Sequence, residues 1–327
     1  MREPDRHLAD ERSLASMHLG TTGRMTGMTE NQFLVWAAQR LQPDNALYRI
    51  GFAFAIPDAI ETSAFQAAFQ TLVNSSDALR SIVTEDRGVP QLQVLPDLPY
   101  TLPIVDLSPA TRAEYNAWAE ERFRETRFDP EESPFDTALV KLSEEVFGWY
   151  LCMNHLFSDG WSMVLSLRHM ADFYQRALEG ELPSRVELPQ FQDYVAYEQA
   201  ARSSDQYRQA EAYWQEKLSR PLEPARLYGR LRPPGKTRAD RVSVVLGEER
   251  TRRLMELAQH PDLFVKTENV TLFNIFVALL AAYVSRVSDV THVSIGSPFF
   301  GRPTETFRRT IGLFVEVLPF YIDVETH

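Results

Sequence analysis

A nearly continuous apolar run, Phe147–Met153, ends directly before an Asn-His pair at 154–155. A strand that lacks alternating polar residues fits a sheet covered on both faces, so this run is predicted to be a central strand. The shorter apolar run 139–142 precedes it and is predicted to be its antiparallel neighbour. A helical pattern over 161–179 follows. The chain is therefore expected to place a buried strand, a loop and a helix in immediate succession.

The rest of the chain alternates between strand-like and helix-like segments, which predicts an α/β fold built in layers. Apolar residues at helical spacing predict further helices over 29–42, 62–75, 113–128, 191–218, 249–258 and 271–287. Short apolar and β-branched runs predict further strands over 48–56, 79–84, 242–246, 293–296 and 317–324. Residues 1–27 lack periodicity and are predicted to be a flexible leader. Residues 219–240 carry four prolines and are predicted to be a loop or crossover.

Composition and charge exclude several classes of function. The 327 residues are 44% hydrophobic, enough for one large or two mid-sized cores, and the length favours two domains. A formal net charge of −11 without a run of Lys or Arg argues against nucleic-acid binding. The longest apolar stretch, 271–284, is too short to span a bilayer and contains Asn274, so no membrane segment is expected.

The cysteine and histidine content bears on location and on metal binding. Cys152 is the single cysteine and cannot form an internal disulfide, and residues 1–28 lack an apolar signal core. A cytoplasmic location is therefore expected. No histidine pair occurs at metal-binding spacing, so no metal site is expected.

His155 is the strongest candidate for a chemical role. It lies where a buried strand meets a loop, and such an exit can present a side chain to a cleft while the backbone stays anchored. Imidazole can orient an attacking amine or take its proton near neutral pH. Asp159 can hold the loop through an arginine, and Gly160 is expected to allow a sharp turn and to leave room. A histidine followed by Asp-Gly at this spacing also arises by chance, so the pattern alone does not establish a site.

The segment Met153–Ser162 resembles the core motif of condensation domains of nonribosomal peptide synthetases, whose pattern is Met-His-His-x-x-x-Asp-Gly-Trp-Ser. His155, Asp159 and Gly160 match the second histidine, the aspartate and the glycine. Asn154 replaces the first histidine. The same type of motif marks a wider superfamily of chloramphenicol-acetyltransferase-like acyltransferases.

Further segments are similar to other motifs of this family and occur in the expected order. They are Thr29–Trp36 with Gln32 and Trp36 retained and Leu34 replacing an arginine, Ala78–Ser81, Phe191–Tyr197, Gly296–Pro303, and Ile311–Pro319 with Glu316 replacing an asparagine. The likeness covers residues 29–325, and the order of the segments argues against a chance match of the central motif.

The resemblance implies two chloramphenicol-acetyltransferase-like lobes in a V shape with a tunnel between them. Residues 28–182 would form the N-terminal lobe with the histidine motif, and residues 183–327 a partial C-terminal lobe. The family continues beyond the Val-Leu-Pro segment, so the second lobe is expected to be incomplete. Missing strands would leave apolar edges exposed, which predicts association through that surface or reduced solubility.

The resemblance also implies that phosphopantetheine-tethered substrates arrive on donor and acceptor peptidyl carrier proteins, beside other synthetase domains. No cofactor would be bound directly. His155 would orient or deprotonate the acceptor amine as it attacks the donor thioester to form an amide. Asp159 would be structural, with Arg302 as its ion-pair partner. The weaker candidates, for the tunnel wall, are Trp161, Ser162 and Arg80.

Asn154 keeps other functions open. An amide cannot act as a general base, so a degenerate domain that only recruits carrier proteins or tailoring enzymes is one alternative. Heterocyclising relatives carry Asp-x-x-x-x-Asp-x-x-Ser, which Asn154, Asp159 and Ser162 match except at the first position. A free-standing acyltransferase that uses coenzyme A shares the motif. Condensation is favoured because His155 and Gly160 are retained.

Overall fold

The computed structural model of the chain describes residues 27–42, 46–128, 133–219, 225–229 and 242–325. Nearly all of the predicted leader 1–27 and most of the predicted loop 219–240 lie outside these residues. The described helices are α1 (Glu30–Leu41), α2 (Thr62–Ser75), α3 (Arg112–Glu125), α4 (Gly160–Leu178), α5 (Phe191–Ala201), α6 (Asp205–Leu218), α7 (Glu248–Ala258), α8 (Glu268–Ser288) and α9 (Glu305–Arg308). The described strands are β1 (Arg49–Ile56), β2 (Ser81–Asp86), β3 (Val89–Val94), β4 (Ile104–Asp106), β5 (Phe135–Lys141), β6 (Phe147–Asn154), β7 (His292–Phe299) and β8 (Glu316–Asp323).

Most predicted elements are present, and the differences have local causes. The predicted helix 191–218 is divided into α5 and α6 because the chain turns over residues 202–204. The strand predicted over 242–246 is wrong: within the described part of the chain this segment pairs with no strand, and Val242 and Val245 are almost fully exposed. β-Branched residues favour a strand only where neighbouring strands support it. The short elements β4 and α9 were not predicted because three or four residues carry no periodic signal.

Four strands form one sheet in the order β1-β6-β5-β4. Strand β6 pairs antiparallel with β1 on one side and with β5 on the other, and β4 runs parallel to β5. All eight residues of β6 are buried, which confirms the prediction of a strand covered on both faces. The residues that follow β6 therefore leave from the middle of the sheet.

Helices cover both faces of this sheet. On one face, α2 and α4 contribute Phe65 and Phe173 to the core cluster around Trp149 of β6. On the other face, α3 places the ring of Tyr115 against Gly148, where any Cβ atom would collide with the ring. The central strand is thus fixed from both sides, and its end is a rigid place from which to present a side chain.

The described residues divide into two compact units. The first contains the residues up to Arg208 together with Phe300–Val315, and the second contains Gln209–Phe299 and the residues from Glu316 onwards. The boundary expected at 182–183 lies inside the first unit, because Phe191 of α5 packs edge-on against Phe314 with ring centroids 5.1 Å apart. The V-shaped arrangement of two lobes stays a prediction.

In the second unit, β7 and β8 form an antiparallel pair and α8 is the longest helix. By length and composition α8 alone among the described helices is apolar enough to cross a membrane. The apolar stretch 271–284 was predicted to be too short to cross a membrane, but the helix that contains it, Glu268–Ser288, is long enough, so that prediction is wrong. A core helix of a water-soluble protein meets the same criteria, so the expected absence of a membrane segment stays a prediction. Phe276 and Leu279 on α8 are more than half exposed.

Candidate active site

His155 directly follows β6 and opens the loop that leads to α4. Its backbone N–H donates to the carbonyl of Tyr48, 2.8 Å away, just before β1 begins. Within the loop, the Phe157 N–H donates to the carbonyl of Asn154 at 3.0 Å. The His155 side chain is half-buried, and its Nδ1 atom has no hydrogen-bond partner among the described residues. The backbone is therefore held while the imidazole is not committed to a protein group through that atom.

Asn154 is bonded into the turn around His155. Its side-chain Oδ1 accepts from the N–H of Leu156 at 3.0 Å and from Nε2 of Gln39 at 2.8 Å. The residue is almost wholly buried. An amide oxygen accepts hydrogen bonds without titrating, so asparagine can shape this turn at any ordinary pH. The replacement of the family's first histidine thus leaves an ordered loop.

Helix α1 holds the same loop through two residues of the opening motif. Thr29 and Gln32 form a capping box in which each N–H donates to the other side chain at 3.1 Å. The Nε2 of Gln32 also donates to the carbonyl of Leu156 at 3.0 Å. Trp36, one turn later, is buried in a cluster with Leu156 and Phe157. The glutamine and tryptophan of the motif therefore fix the backbone beside the histidine.

The predicted ion pair between Asp159 and Arg302 is confirmed. The Nη2 atom of Arg302 lies 2.7 Å from Oδ1 and 2.9 Å from Oδ2 of Asp159, and the side chains are 0% and 3% exposed for Arg302 and Asp159. Desolvation of two charges is costly, so such a pair persists only where further hydrogen bonds satisfy both groups. The structure supplies these bonds for each partner.

The carboxylate of Asp159 is bonded by both of its oxygens. As the N-cap of α4, its Oδ1 accepts from the N–H and the Oγ–H of Ser162, both at 2.8 Å. Its Oδ2 accepts from the N–H groups of Phe314 at 3.1 Å and Val315 at 3.3 Å. The carboxylate thus joins the start of α4 to the segment Phe300–Val315, which supports the structural role expected for it.

The guanidinium of Arg302 is bonded through both Nη atoms, while its Nε is buried without a hydrogen-bond partner among the described residues. Its Nη1 donates to the carbonyls of Phe307 at 2.8 Å and Thr310 at 2.6 Å, and its centre lies 3.9 Å from the ring centroid of Phe314. Burial lowers the pKa of Arg302, and the charge of Asp159 opposes that shift. Because a guanidinium starts from a very high pKa, Arg302 keeps its charge.

Two motif glycines serve different purposes. Gly301 has a φ of +67°, and a Cβ there would collide with the carbonyl oxygen of Phe314, so no other residue fits beside Arg302. The sharp turn expected at Gly160 is wrong: this residue begins α4 without a positive φ. A Cβ at Gly160 would meet only Ile50 Cδ1 at 4.0 Å, so what the glycine provides is open space next to the loop.

The three tunnel-wall candidates have different surroundings. Trp161 is half-buried, with Nε1 donating to the carbonyl of Arg308 at 2.7 Å, and its place in a tunnel wall stays a prediction. Ser162 is fully buried, and its Oγ is shared by Asp159, Arg302 and Gly312. Arg80 is buried as well, and its guanidinium donates to three backbone carbonyls, those of Val73, Leu95 and Pro96. Ser162 and Arg80 are therefore corrected to structural contacts.

Sequence reasoning missed Gln39 and Phe314. Gln39 matches no motif, but it lies seven residues after Gln32 and three after Trp36, which puts all three on one helix face. Phe314 was predicted only as part of a motif, and its contact with a cation has no sequence signal. In the part of the chain that the structure describes, His, Cys, Asp and Glu side chains form no group suited to a metal ion, and the expected absence of a metal site stays a prediction.

Comparison with known proteins identifies the family. The model of the condensation-domain family matches residues 24–327. One of the linear gramicidin synthase proteins of Brevibacillus parabrevis is 27% identical over 298 residues, which are 89% of this chain and 6% of that protein. One of the plipastatin synthase proteins of Bacillus subtilis (strain 168) is 28% identical over 289 residues, 87% of this chain and 11% of that protein. The chain thus spans a small part of the length of these relatives.

Solved structures show the same fold. The first condensation domain of the calcium-dependent antibiotic synthetase, in complex with a substrate analogue, has a TM-score of 0.74 and 26% identity, over 93% of this chain and 71% of that chain. The starter condensation domain of rhizomide synthetase, in complex with C8-CoA, has a TM-score of 0.76 and 23% identity, over 96% of this chain and 69% of that chain. These likenesses confirm the predicted α/β fold class, and the chain belongs to the condensation-domain family of nonribosomal peptide synthetases.

Proposed function

We propose that this chain forms an amide by attack of a carrier-bound acceptor amine on a carrier-bound donor acyl thioester, with His155 as the catalytic residue. The single observation that carries the proposal is the contrast between the two ionisable residues of the motif. Asp159 is buried and bonded through both oxygens. His155 is half-buried at the end of a rigid strand, with Nδ1 unpaired among the described residues.

The chemistry requires a group that handles one proton. The amine nitrogen attacks the thioester carbonyl carbon, the C–S bond breaks, and the amine proton passes by way of His155 to the leaving sulfur. Neutral imidazole has one nitrogen that accepts and one that donates, so it can orient the amine and then carry its proton. The fixed backbone on both sides of His155 favours this by limiting where the ring can lie before the substrates arrive.

Asn154 does not argue against catalysis. Its amide is occupied by Leu156 N–H and Gln39 Nε2, which is a structural task that asparagine performs without a proton to give or take. The alternative of a degenerate platform depended in part on this replacement, with Glu316 as a further departure from the family pattern. The geometry therefore favours the catalytic proposal over the platform.

The relatives support a proposal about partners. The linear gramicidin synthase and plipastatin synthase proteins are many times longer than this chain, and the resemblance to condensation domains implies substrates held by carrier proteins. We propose that donor and acceptor peptidyl carrier proteins present phosphopantetheine thioesters to this domain, beside other synthetase domains. A cytoplasmic location is proposed on other grounds, since Cys152 is the single cysteine and cannot form an internal disulfide.

The test is replacement of His155 by alanine, with product formation between loaded donor and acceptor carrier proteins followed by mass spectrometry. Loss of a general base costs about 10²–10⁴ in rate, so we expect turnover to fall by at least about 100-fold. The matched control is His260→Ala, which removes an exposed histidine of the second unit and should leave turnover unchanged.

Other outcomes separate the alternatives. Equal turnover in the wild type and the His155→Ala variant would remove the proposed role. Carrier binding by folded wild type without any product would indicate the platform. Thiazoline or oxazoline from a Cys- or Ser-loaded acceptor would indicate heterocyclisation, and product from a soluble coenzyme A thioester without a carrier would indicate a free-standing acyltransferase.

A further inference from the structure

Gln39, near the C-terminal end of α1, makes a side-chain bond to the residue before the proposed catalytic histidine. Its Nε2 donates to Oδ1 of Asn154 at 2.8 Å, and the same Oδ1 accepts from the N–H of Leu156 at 3.0 Å. One oxygen thus accepts from both partners. We infer that Gln39 is a positioning residue for His155, acting through Asn154; this rests on the proposed function of His155.

The orientation of the Asn154 amide decides whether the turn can form. Oxygen and nitrogen of an amide occupy nearly the same space, and which of them faces a neighbour depends on the hydrogen bonds that each can make. The N–H of Leu156 needs an acceptor, because a buried donor without a partner is costly. A donor at position 39 favours the orientation in which the oxygen faces both groups. Gln39 therefore selects the amide orientation that closes the turn over His155.

The neighbours of His155 leave its backbone little freedom. Its own N–H is bonded to Tyr48, and the next residue, Leu156, is held at the N–H by Asn154 and at the carbonyl by Gln32. The Gln32 amide is fixed by a second bond, in which its Oε1 accepts from the N–H of Thr29. The Asn154 amide has its second bond from Gln39. Misplacement of a reacting group by about 1 Å can cost two powers of ten in rate, so this contact bears directly on catalysis.

Gln39 differs in kind from the other clamps on α1. Gln32 and Trp36 contact the backbone and side chains after the histidine, whereas Gln39 contacts the side chain before it. The Gln39–Asn154 contact also requires an acceptor at position 154, which asparagine supplies and protonated histidine would not. Gln39 thus binds the residue, Asn154, at which this chain departs from the family pattern.

Three substitutions separate a donor from mere bulk at position 39. Gln39→Met keeps the length and removes the donor. Gln39→Glu keeps the shape and, at neutral pH, places an acceptor against the Asn154 oxygen, which favours the flipped amide. Gln39→Lys keeps a donor at the cost of shape. The matched control is Arg40→Gln, at the next position, whose side chain is exposed and, among the described residues, pairs with Glu85 at the surface.

Two measurements are made on each variant of the full chain. The first is hydrogen–deuterium exchange of the peptide containing the Leu156 amide. The second is steady-state turnover with loaded carrier proteins, resolved into kcat and KM. We expect faster exchange in the Met and Glu variants, with kcat reduced roughly five- to tenfold at unchanged KM and the Glu variant the more affected. The Lys variant and Arg40→Gln should resemble the wild type in both measurements.

Failure of the positioning role of Gln39 can be distinguished from failure of the proposed role of His155. If His155→Ala abolishes turnover but the Met and Glu variants match the Lys variant in kcat, the positioning role of Gln39 is overturned while the function of His155 stands. If exchange at Leu156 is the same in all four variants, Gln39 does not order the loop, and the inference fails whatever the turnover. If a Gln39→Glu protein does not fold, the comparison of Met with Lys decides.

Discussion

Replacement of Asp159 by asparagine tests whether the buried ion pair, and not the aspartate's chemistry, is what the motif preserves. Asparagine is as good an N-cap as aspartate, so the bond from the Ser162 N–H can be retained at the start of α4. What is lost is the negative charge, and Arg302 is left as a fully buried cation. The substitution therefore isolates the electrostatic part of the contact.

The magnitude follows from the burial of both groups. Removal of one partner of a buried pair costs about 3–5 kcal/mol, because the remaining charge stays desolvated. The amide nitrogen would also face one of the donors on Arg302, Phe314 or Val315, which adds to the cost. Against a total stability of about 5–15 kcal/mol, this is a large fraction.

The companion variants are Arg302→Met and the double variant. Arg302→Met leaves the Asp159 charge unpaired and removes the donor to the carbonyls of Phe307 and Thr310, so its cost should be comparable. The double variant carries no charge at positions 159 and 302. We expect its destabilisation to be smaller than the sum of the single effects by about 2–3 kcal/mol.

Urea unfolding followed by tryptophan fluorescence measures these differences. Four of the five tryptophans, at positions 36, 118, 149 and 161, lie in the first unit, so the signal reports mainly on the unit that contains the pair. With a typical urea slope, the midpoint of the Asp159→Asn variant should fall by roughly 1–3 M. A midpoint equal to that of the wild type, together with lost turnover, would refute the structural role and make Asp159 a participant in the reaction.

Two further predictions concern single side chains. Gly160→Ala should change stability by less than about 1 kcal/mol, since its Cβ meets only Ile50 at 4.0 Å. It should lower turnover by about an order of magnitude if the open space admits a substrate. Thermal melting measures the first effect and the carrier assay the second, and full activity would show that the space is not used. Burial raises the pKa of the Cys152 thiol to about 12, so iodoacetamide at pH 8 should label the native protein at least about 100-fold more slowly than the urea-unfolded chain. Equal labelling rates would show that β6 opens readily.

The position of the site in the fold could be predicted from the sequence, but some of its side-chain contacts could not. The position of His155 at the end of a buried strand follows from apolar runs, which local composition records. The pairing of Asp159 with Arg302 was predicted from the resemblance to two motifs of the family. The bond from Gln39 to Asn154 could be predicted from neither, because the orientation of an amide depends on what surrounds it in three dimensions.

Three of the wrong predictions from the sequence each have a physical reason. Gly160 has the residue type of a tight turn but begins a regular helix, because the Asp159 cap already supplies the change of direction. Residues 242–246 have the composition of a strand but no neighbouring strand in the described part of the second unit. Arg80 looks like a cation available to a substrate, yet three carbonyls use its guanidinium. In each case a contact in the folded chain, which the residue type alone does not specify, decides the outcome.

The segment Phe300–Val315 belongs to the first unit although it follows most of the second unit in the chain. This determines the order in which the site can form during synthesis. The ribosome makes the N-terminal part first, so Asp159 exists well before Arg302, with the whole of Gln209–Phe299 made in between. Until then the start of α4 lacks its counter-charge and the two N–H groups of Phe314 and Val315. A nascent chain therefore cannot complete the histidine loop's support before most of the second unit has been made. For the same reason, a fragment cut at Arg208 would carry the histidine motif without Arg302, Phe314 and Val315, the residues outside α4 that bind Asp159.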